Sequence, residues 1–250
     1  MPRTGELTYF KRIGLEGQRH ALAKPFSDED SGLYFQRVGA LFNLLPPPPA
    51  RILECGCGSG WLAYFMAKRG YSIVATDVAP EAIRLARMNP TFQEGPRPEF
   101  QVADSEDLKF QEDFDVVVFF DSLHHSIDEF AALCSAYRAL KPGGFCVALE
   151  PGRGHHRRSA EIEKSFDITE KDMPPSYVRR LGFRAGFSRC RVLPSPQHLG
   201  KALYANNRAG KGWLRNLLGL ELFRSVIVMG ILALQRWHCG ITILYKDVAF

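Results

Sequence analysis

Three glycines at alternate positions, Gly56, Gly58 and Gly60, follow an acid, Glu54, and precede an amphipathic stretch at residues 61–68. A β-branched run at residues 73–76 then ends in a second acid, Asp77. Glycine lacks Cβ, so such a loop can take left-handed backbone angles and let a ligand reach the main chain. The helix that follows points free N–H groups at the same place. A carboxylate at the end of the second strand can accept hydrogen bonds from ribose hydroxyls, and charge-assisted bonds are the stronger kind. Strand, glycine turn, helix, strand and acid together form the grip of an α/β fold on a nucleoside. The competing reading is a plain glycine turn beside a solvated acid, because a glycine motif alone is weak. Two details separate the loop from a dinucleotide fingerprint. The spacing is G-x-G-x-G, and Glu54 would repel a pyrophosphate, so a ligand with a positive end suits it better. Cys55 and Cys57 flank Gly56, but no second cysteine pair lies at zinc spacing. They read as compact loop residues, and no metal site is expected.

The pattern continues downstream. Residues 101–108 read QVADSEDL, residues 114–121 read FDVVVFFD, and residues 139–144 read ALKPGG ahead of an apolar run at 145–149. In order and spacing, residues 46–152 resemble the class I S-adenosylmethionine-dependent methyltransferases, in the type 11/12-like branch that acts on small molecules. The resemblance implies S-adenosylmethionine as cofactor and S-adenosylhomocysteine as product. It implies cofactor contacts at Glu54, Gly56, Cys57, Gly58, Gly60, Asp77, Val78, Asp104, Ser105, Phe120 and Asp121, with Asp104 on the adenine amino group. The family usually has a small or acidic residue where Cys55 and Cys57 stand. The fold implied is α/β and Rossmann-like: a seven-stranded sheet, mostly parallel with an antiparallel last strand, and helices on both faces. A helical insertion precedes that last strand.

Ligands of open α/β sheets bind beyond the C-terminal ends of the strands. Methyl transfer from a sulfonium mainly requires alignment and exclusion of water. A hydroxyl or ammonium acceptor must also lose a proton, and histidine is the usual base. His124 and His125 follow the fourth strand, and Glu150 ends the fifth. These three are the catalytic candidates, His125 first; the competing role for a histidine here is orienting a loop or capping a helix. The basic cluster at Arg153, His155, His156, Arg157 and Arg158 would suit a phosphate or carboxylate on the substrate if it faced the pocket, and is otherwise a solvated helix start. It lacks the interleaved aromatics that stack bases, and Asp121-Ser122-Leu123-His124 stands where a base-amino methyltransferase carries Asn-Pro-Pro-Tyr. No nucleic-acid partner is expected.

The elements that position these residues alternate from residue 51 to 149, which predicts a parallel sheet with helices on both faces. Helices are expected at 80–88 and 127–139, and further strands at 187–193 and 241–245. Residues 1–45 read as a cap segment followed by a helix, and residues 46–250 as the catalytic domain. Residues 1–24 show no clear period, although Tyr9, Phe10 and His20 are candidates to cover the cofactor. Ser27 to Asp30 suggests a helix start, with Tyr34, Val38, Leu41, Phe42 and Leu45 at helical spacing until the prolines at 46–49 stop it. Residues 194–237 form the insertion. Its apolar part, 213–234, flanked by Trp213 and Trp237, reads as a lid helix, a homodimer contact or a membrane-surface helix.

With 250 residues, a net charge of +5 and six scattered cysteines, the chain suits one large domain in a reducing cytoplasm, free or peripheral to a membrane. The expected function is methylation of a small molecule, at a hydroxyl of a sugar or related metabolite of glycan or secondary metabolism, with an anionic or lipid-linked acceptor also open. A cofactor-binding scaffold without acceptor chemistry is the rival from another class.

Overall fold

In a computed structural model, which describes residues 4–90, 95–197, 226, 230 and 239–248, the alternating segments form one seven-stranded sheet. Strands β1 (Arg51–Cys55), β2 (Ser72–Asp77), β3 (Glu99–Val102), β4 (Phe114–Phe120), β5 (Leu140–Leu149), β6 (Arg189–Pro194) and β7 (Gly240–Tyr245) lie in the order β3-β2-β1-β4-β5-β7-β6. The first five pair in parallel, and β7 runs antiparallel between β5 and β6. The expected fold class is therefore observed. The chain reverses direction across the sheet between β1 and β4, and ligands bind at such switch points.

The central strands are apolar on both faces because helices cover both. Two buried clusters result. One gathers Ile52, Val116, Val118 and Val147 with Leu62 and Met66 of α4 (Trp61–Lys68) and Leu41 of α3 (Ser31–Leu44). The other gathers Leu53, Val117, Phe119 and Cys146 with Leu133 of α6 (Glu129–Ala139) and Val178 of α8 (Pro175–Arg184). Helix α5 (Pro80–Arg87) begins on a proline at its first turn, where the missing N–H costs nothing. The fifth strand starts earlier than its apolar run suggests, at Leu140, because the Lys-Pro-Gly-Gly turn already pairs with β4 through Leu140 and Phe114.

Residues 1–24 depart from the sequence reading. Where no period is evident, the structure has two helices, α1 (Thr4–Arg12) and α2 (Gly14–Leu22). Their buried residues are few, Gly5 in α1 and Ala21 in α2, so burial leaves almost no periodic trace. The apolar part of the insertion, with its lid, dimer and membrane readings, lies outside the described residues. Among the described residues no helix is long and apolar enough to cross a membrane.

The glycine turn is fixed by close packing. Gly60 has φ +78°, and a Cβ there would sit 2.8 Å from the Phe100 ring and 2.9 Å from Ala86 Cβ. Left-handed backbone at a residue with Cβ costs about 1–2 kcal/mol, and overpacking about 1–3 kcal/mol. Gly60→Ala should therefore lower unfolding free energy by about 2–5 kcal/mol in a urea titration. An unchanged midpoint would show that the turn relaxes without cost.

Candidate functional site

A cavity of about 470 Å³ opens beyond the C-terminal ends of β1, β2 and β4. Its floor is the glycine turn. Gly56 and Cys57 both donate their N–H to Thr76 O, at 2.8 and 2.9 Å, which ties the turn to β2. A Cβ on Gly56, whose φ is +74°, would lie 2.4 Å from Ser122 Cβ, so this glycine lets two loops meet. Asp77 accepts from Gly58 N and Ala79 N, each at 2.9 Å, through different oxygens. Val78 lies beside it on the cavity wall. Burial raises the Asp77 carboxyl above its usual range, and these two N–H donors offset part of the rise.

Glu54 is buried behind this turn and does not line the cavity. Burial, with Asp77 nearby, pushes its carboxyl up to about 8. Its Oε2 is buried without a hydrogen-bond partner. An orphaned carboxylate oxygen behind an open cavity favours a ligand that brings positive charge. Asp104 and Ser105 line one wall; Asp104 Oδ1 accepts from Glu106 N at 2.9 Å, and the Ser105 and Ser126 hydroxyls lie 3.3 Å apart. Opposite, Phe120 lies under the Arg37 guanidinium, whose Cζ is 4.4 Å from the ring centroid. Arg37 grips Asp121 with two hydrogen bonds of 2.5 and 2.7 Å and also donates to Leu149 O at 3.0 Å. Burial pushes the Asp121 carboxyl up, but the charge and hydrogen bonds of Arg37 outweigh this and hold it below the usual range.

The outer wall comes from elements distant in sequence. Tyr9, Phe10 and His20 of the N-terminal helices line the cavity, as do Glu6 and Lys24. Glu6 Oε1 accepts from Thr169 N at 2.6 Å. Burial pushes the Glu6 carboxyl up to about 7, and the Thr169 N–H partly opposes that rise. His125 and Glu170 complete this end. His125 Nδ1 lies 2.7 Å from Thr169 O. A carbonyl oxygen can only accept, so Nδ1 carries the proton and Nε2 keeps its lone pair. Burial and the neighbouring His124 push the His125 imidazole down to about 4, so it is neutral near pH 7. Among the described residues, six carboxylate side chains line the cavity (Glu6, Asp77, Asp104, Glu106, Asp121 and Glu170) against one lysine, Lys24.

Residues 53–148 match the sequence profile of a methyltransferase domain. The chain carries a class I S-adenosylmethionine-dependent methyltransferase domain. Over 102 residues it is 36% identical to a ubiquinone biosynthesis O-methyltransferase from Xanthomonas axonopodis pv. citri, covering 40% of this chain and 42% of that one. A protein of the same name from Xanthomonas campestris pv. campestris is 35% identical over 99 residues, 39% of this chain and 41% of that one. The matched segment thus spans about two fifths of the length of these relatives. The fold itself extends further. Magnesium protoporphyrin IX methyltransferase from Synechocystis, solved with S-adenosylhomocysteine, superposes with TM-score 0.61 over 96% of this chain and 98% of that chain at 14% identity. Phosphoethanolamine N-methyltransferase 2 from Haemonchus contortus, in complex with S-adenosylmethionine, gives 0.60 over 94% of this chain and 61% of that chain at 18% identity.

Within the methyltransferase domain, Gly56, Cys57, Gly58, Asp77, Val78, Asp104, Ser105, Phe120 and Asp121 all line the cavity, whereas Glu54 and Gly60 sit behind it. Of the catalytic candidates only His125 lines it. His124 and Glu150 are buried against each other, with His124 Nδ1 2.7 Å from Glu150 Oε2. Burial pushes the His124 imidazole down, but the hydrogen bond and charge of Glu150, with Asp121 and Glu170, more than reverse it. Glu150 also accepts from the backbone N–H of Ser122, Leu123 and His124. Arg153, His155 and His156 do not line the cavity. They stand at the start of α7 (His155–Phe166), where Asp172 accepts from Gly154 N and His156 N, and His155 Nε2 lies 2.6 Å from Glu170 Oε2. Sequence reasoning missed Glu6, Arg37 and Glu170. Glu170 sits in the polar segment at 167–172, DITEKD, where no apolar period marks it as lining a cavity.

The Arg37–Asp121 pair yields a pH prediction. Because the folded state holds Asp121 below its ordinary value, the pair's stabilisation is fully present above about pH 4, the unfolded aspartate value, and is lost as pH falls through the lower folded value. Arg37→Met should lower stability at pH 7, and its difference from wild type should narrow steadily below about pH 4 in denaturant titrations. A pH-independent difference would mean that Arg37 acts by packing alone.

Proposed function

We propose that this protein transfers a methyl group from S-adenosylmethionine to a hydroxyl of a small neutral acceptor, a sugar or related metabolite among them. The observation that carries this is one continuous cavity running from the ribose- and adenine-type acids, Asp77 and Asp104, to a proton-handling wall of Glu6, His125 and Glu170. The residues fit the cofactor. The glycine turn leaves main chain open to a ligand, and the orphaned Glu54 oxygen with the raised Asp77 suits its cationic end. Bound, S-adenosylmethionine supplies an electrophilic methyl on a good leaving group.

The names of the Xanthomonas relatives support oxygen as the accepting atom. The excess of carboxylates along the cavity argues for a neutral acceptor over an anionic one, and Arg153, His155 and His156 stand too far round to offset it. Glu6 is the better base. It faces the cavity, and a group with a value of about 7 matches the operating pH, whereas His125 at about 4 is a weak base there. His125 stays neutral and offers its Nε2 lone pair to the acceptor side. Phe10 and Tyr9 cover the cavity and exclude water.

Calorimetric titration tests the cofactor half. Both S-adenosylmethionine and S-adenosylhomocysteine should bind, and Asp77→Ala should weaken each by about 1.5–3 kcal/mol as a charge-assisted bond is lost. In two buffers of different ionisation enthalpy, binding near pH 7 should release protons, because a cationic ligand draws Glu54, held at about 8, toward its charged form. Loss of all affinity in the wild type would remove the reading. The catalytic half is tested by following S-adenosylhomocysteine production over a panel of sugars, phenols and lipid-linked alcohols. Glu6→Gln keeps an acceptor for Thr169 N but no base, and turnover should fall about 10²–10⁴-fold with cofactor affinity intact. Binding without turnover for any acceptor would return the scaffold reading.

A further inference from the structure

We infer that His124, His125 and Glu170 form a binding site for one divalent transition-metal ion, best suited to Zn²⁺, at the acceptor end of the cavity. Each of the three offers one ligand atom, and these atoms lie within 4.8 Å of one another. The two histidines come from the turn after β4 and the carboxylate from the segment after α7, so the fold brings together residues 45 positions apart.

The outer partners are already in place. A metal-binding histidine usually donates its second ring N–H to a carboxylate or a backbone carbonyl, which fixes the tautomer and aims the other nitrogen. His124 Nδ1 lies 2.7 Å from Glu150 Oε2, and His125 Nδ1 lies 2.7 Å from Thr169 O. Both acceptors hold a proton on Nδ1, so each ring would meet an ion through Nε2, and on His124 the ion would displace the Nε2 proton that the surrounding carboxylates favour. Glu170 in turn is held by His155, whose Nε2 lies 2.6 Å from Oε2. Ligating carboxylates are commonly hydrogen-bonded in this way.

The spacing between ligand atoms is the second observation. His124 Nε2 and Glu170 Oε2 are 3.5 Å apart. That exceeds the ~2.7–3.2 Å of an N–H···O hydrogen bond. Two atoms each about 2.1 Å from one ion and 3.5 Å apart subtend about 113° at it, close to the tetrahedral angle. Two imidazoles and a carboxylate match the three-ligand sets of catalytic zinc sites, which keep a further position open. Here the open side is the cavity, which His125 and Glu170 line. The carboxylate-rich wall also favours a cation, and the hydroxyl of Thr169, beside Glu170, is buried without a partner. An ion at this position would meet the acceptor hydroxyl and lower its proton affinity, with His125 coordinating in place of accepting a hydrogen bond. This role rests on the methyl-transfer reading; the binding site does not.

The test uses the full chain after dialysis against a chelator, without cofactor or acceptor. Co²⁺, titrated as an optical stand-in for Zn²⁺, should bind one per chain, with visible bands of four- or five-coordinate geometry, and Zn²⁺ should displace it. Glu170→Gln and His125→Asn, which face the cavity, should each weaken Co²⁺ binding at least tenfold, while Arg153→Gln leaves it unchanged. The wild-type Co²⁺ form should also show two strongly shifted exchangeable imidazole N–H signals in its proton NMR spectrum. That readout needs no variant to fold. Absence of saturable binding, affinity unaltered by both cavity variants, or no shifted imidazole signals would each overturn the assignment. Because no methyl transfer is read, failure here and failure of the catalytic proposal are separate outcomes.

Discussion

Glu150 is the side chain on which the chemistry-bearing loop depends. Its carboxylate accepts four N–H groups, three from the backbone of Ser122, Leu123 and His124 and one from the His124 ring. Hydrogen bonds to a charged acceptor contribute more than neutral ones, and in a buried setting the cost of leaving them unmade is larger still. This one acid therefore sets the path of the turn after β4. That path presents Asp121 to Arg37, turns His124 inward and leaves His125 on the cavity wall. The neighbouring Ser122 hydroxyl donates to Cys55 O at 2.6 Å, which joins the same turn to the glycine loop. The glycine-turn floor and the His125 side of the cavity are thus fixed by one connected set of bonds between β1, β4 and β5.

The cover of the cavity is tied to its outer wall in the same way. Gly5 packs so closely that a Cβ would lie 2.0 Å from Asp167 O. Two residues on, Thr169 donates its N–H to Glu6 and accepts from His125. Arg12 adds hydrogen bonds to the carbonyls of Phe166 and Ser165, at 2.5 and 2.6 Å. Helix α1 and the segment after α7 therefore meet as one body. A movement of α1 that opened the cavity would also break the contact that holds Glu6 in place. Access to the cavity and the placement of Glu6 and His125 are coupled through Thr169.

The parts legible in the sequence are those whose physics is local. The glycine spacing, the alternation of apolar runs and the acid ending β2 each act over a few residues, so the sheet and the cofactor floor could be read directly. The outer wall of the cavity is different in kind. Glu6, His125 and Glu170 are brought together across more than 160 positions, and nothing near Glu6 in sequence marks it as buried. Arg37 reads as a polar interruption on a helix because its partner, Asp121, is 84 positions away. The basic cluster at 153–158 shows the converse. Its density suggested an anion site, but local acids at Glu163, Glu170 and Asp172 take its histidines and helix start.

A cavity with this many carboxylates is costly to fold when empty. Glu6, Glu54 and Asp77 are all raised by burial, so each holds its proton at a pH where it would lose it in the unfolded chain. The unfolded state therefore binds fewer protons than the folded one, and as pH rises through these groups they make the empty fold less stable. A ligand that brings positive charge reverses the sign of that effect, since it stabilises the ionised carboxylates that burial disfavours. Mass action then adds its binding energy to the fold. The same acids that weaken the empty protein thus select what fills it. A sulfonium, an ammonium group or a divalent ion gains from Glu6, Glu54 and Asp77, and a phosphate is opposed by them, whereas Asp121 is already paired with Arg37.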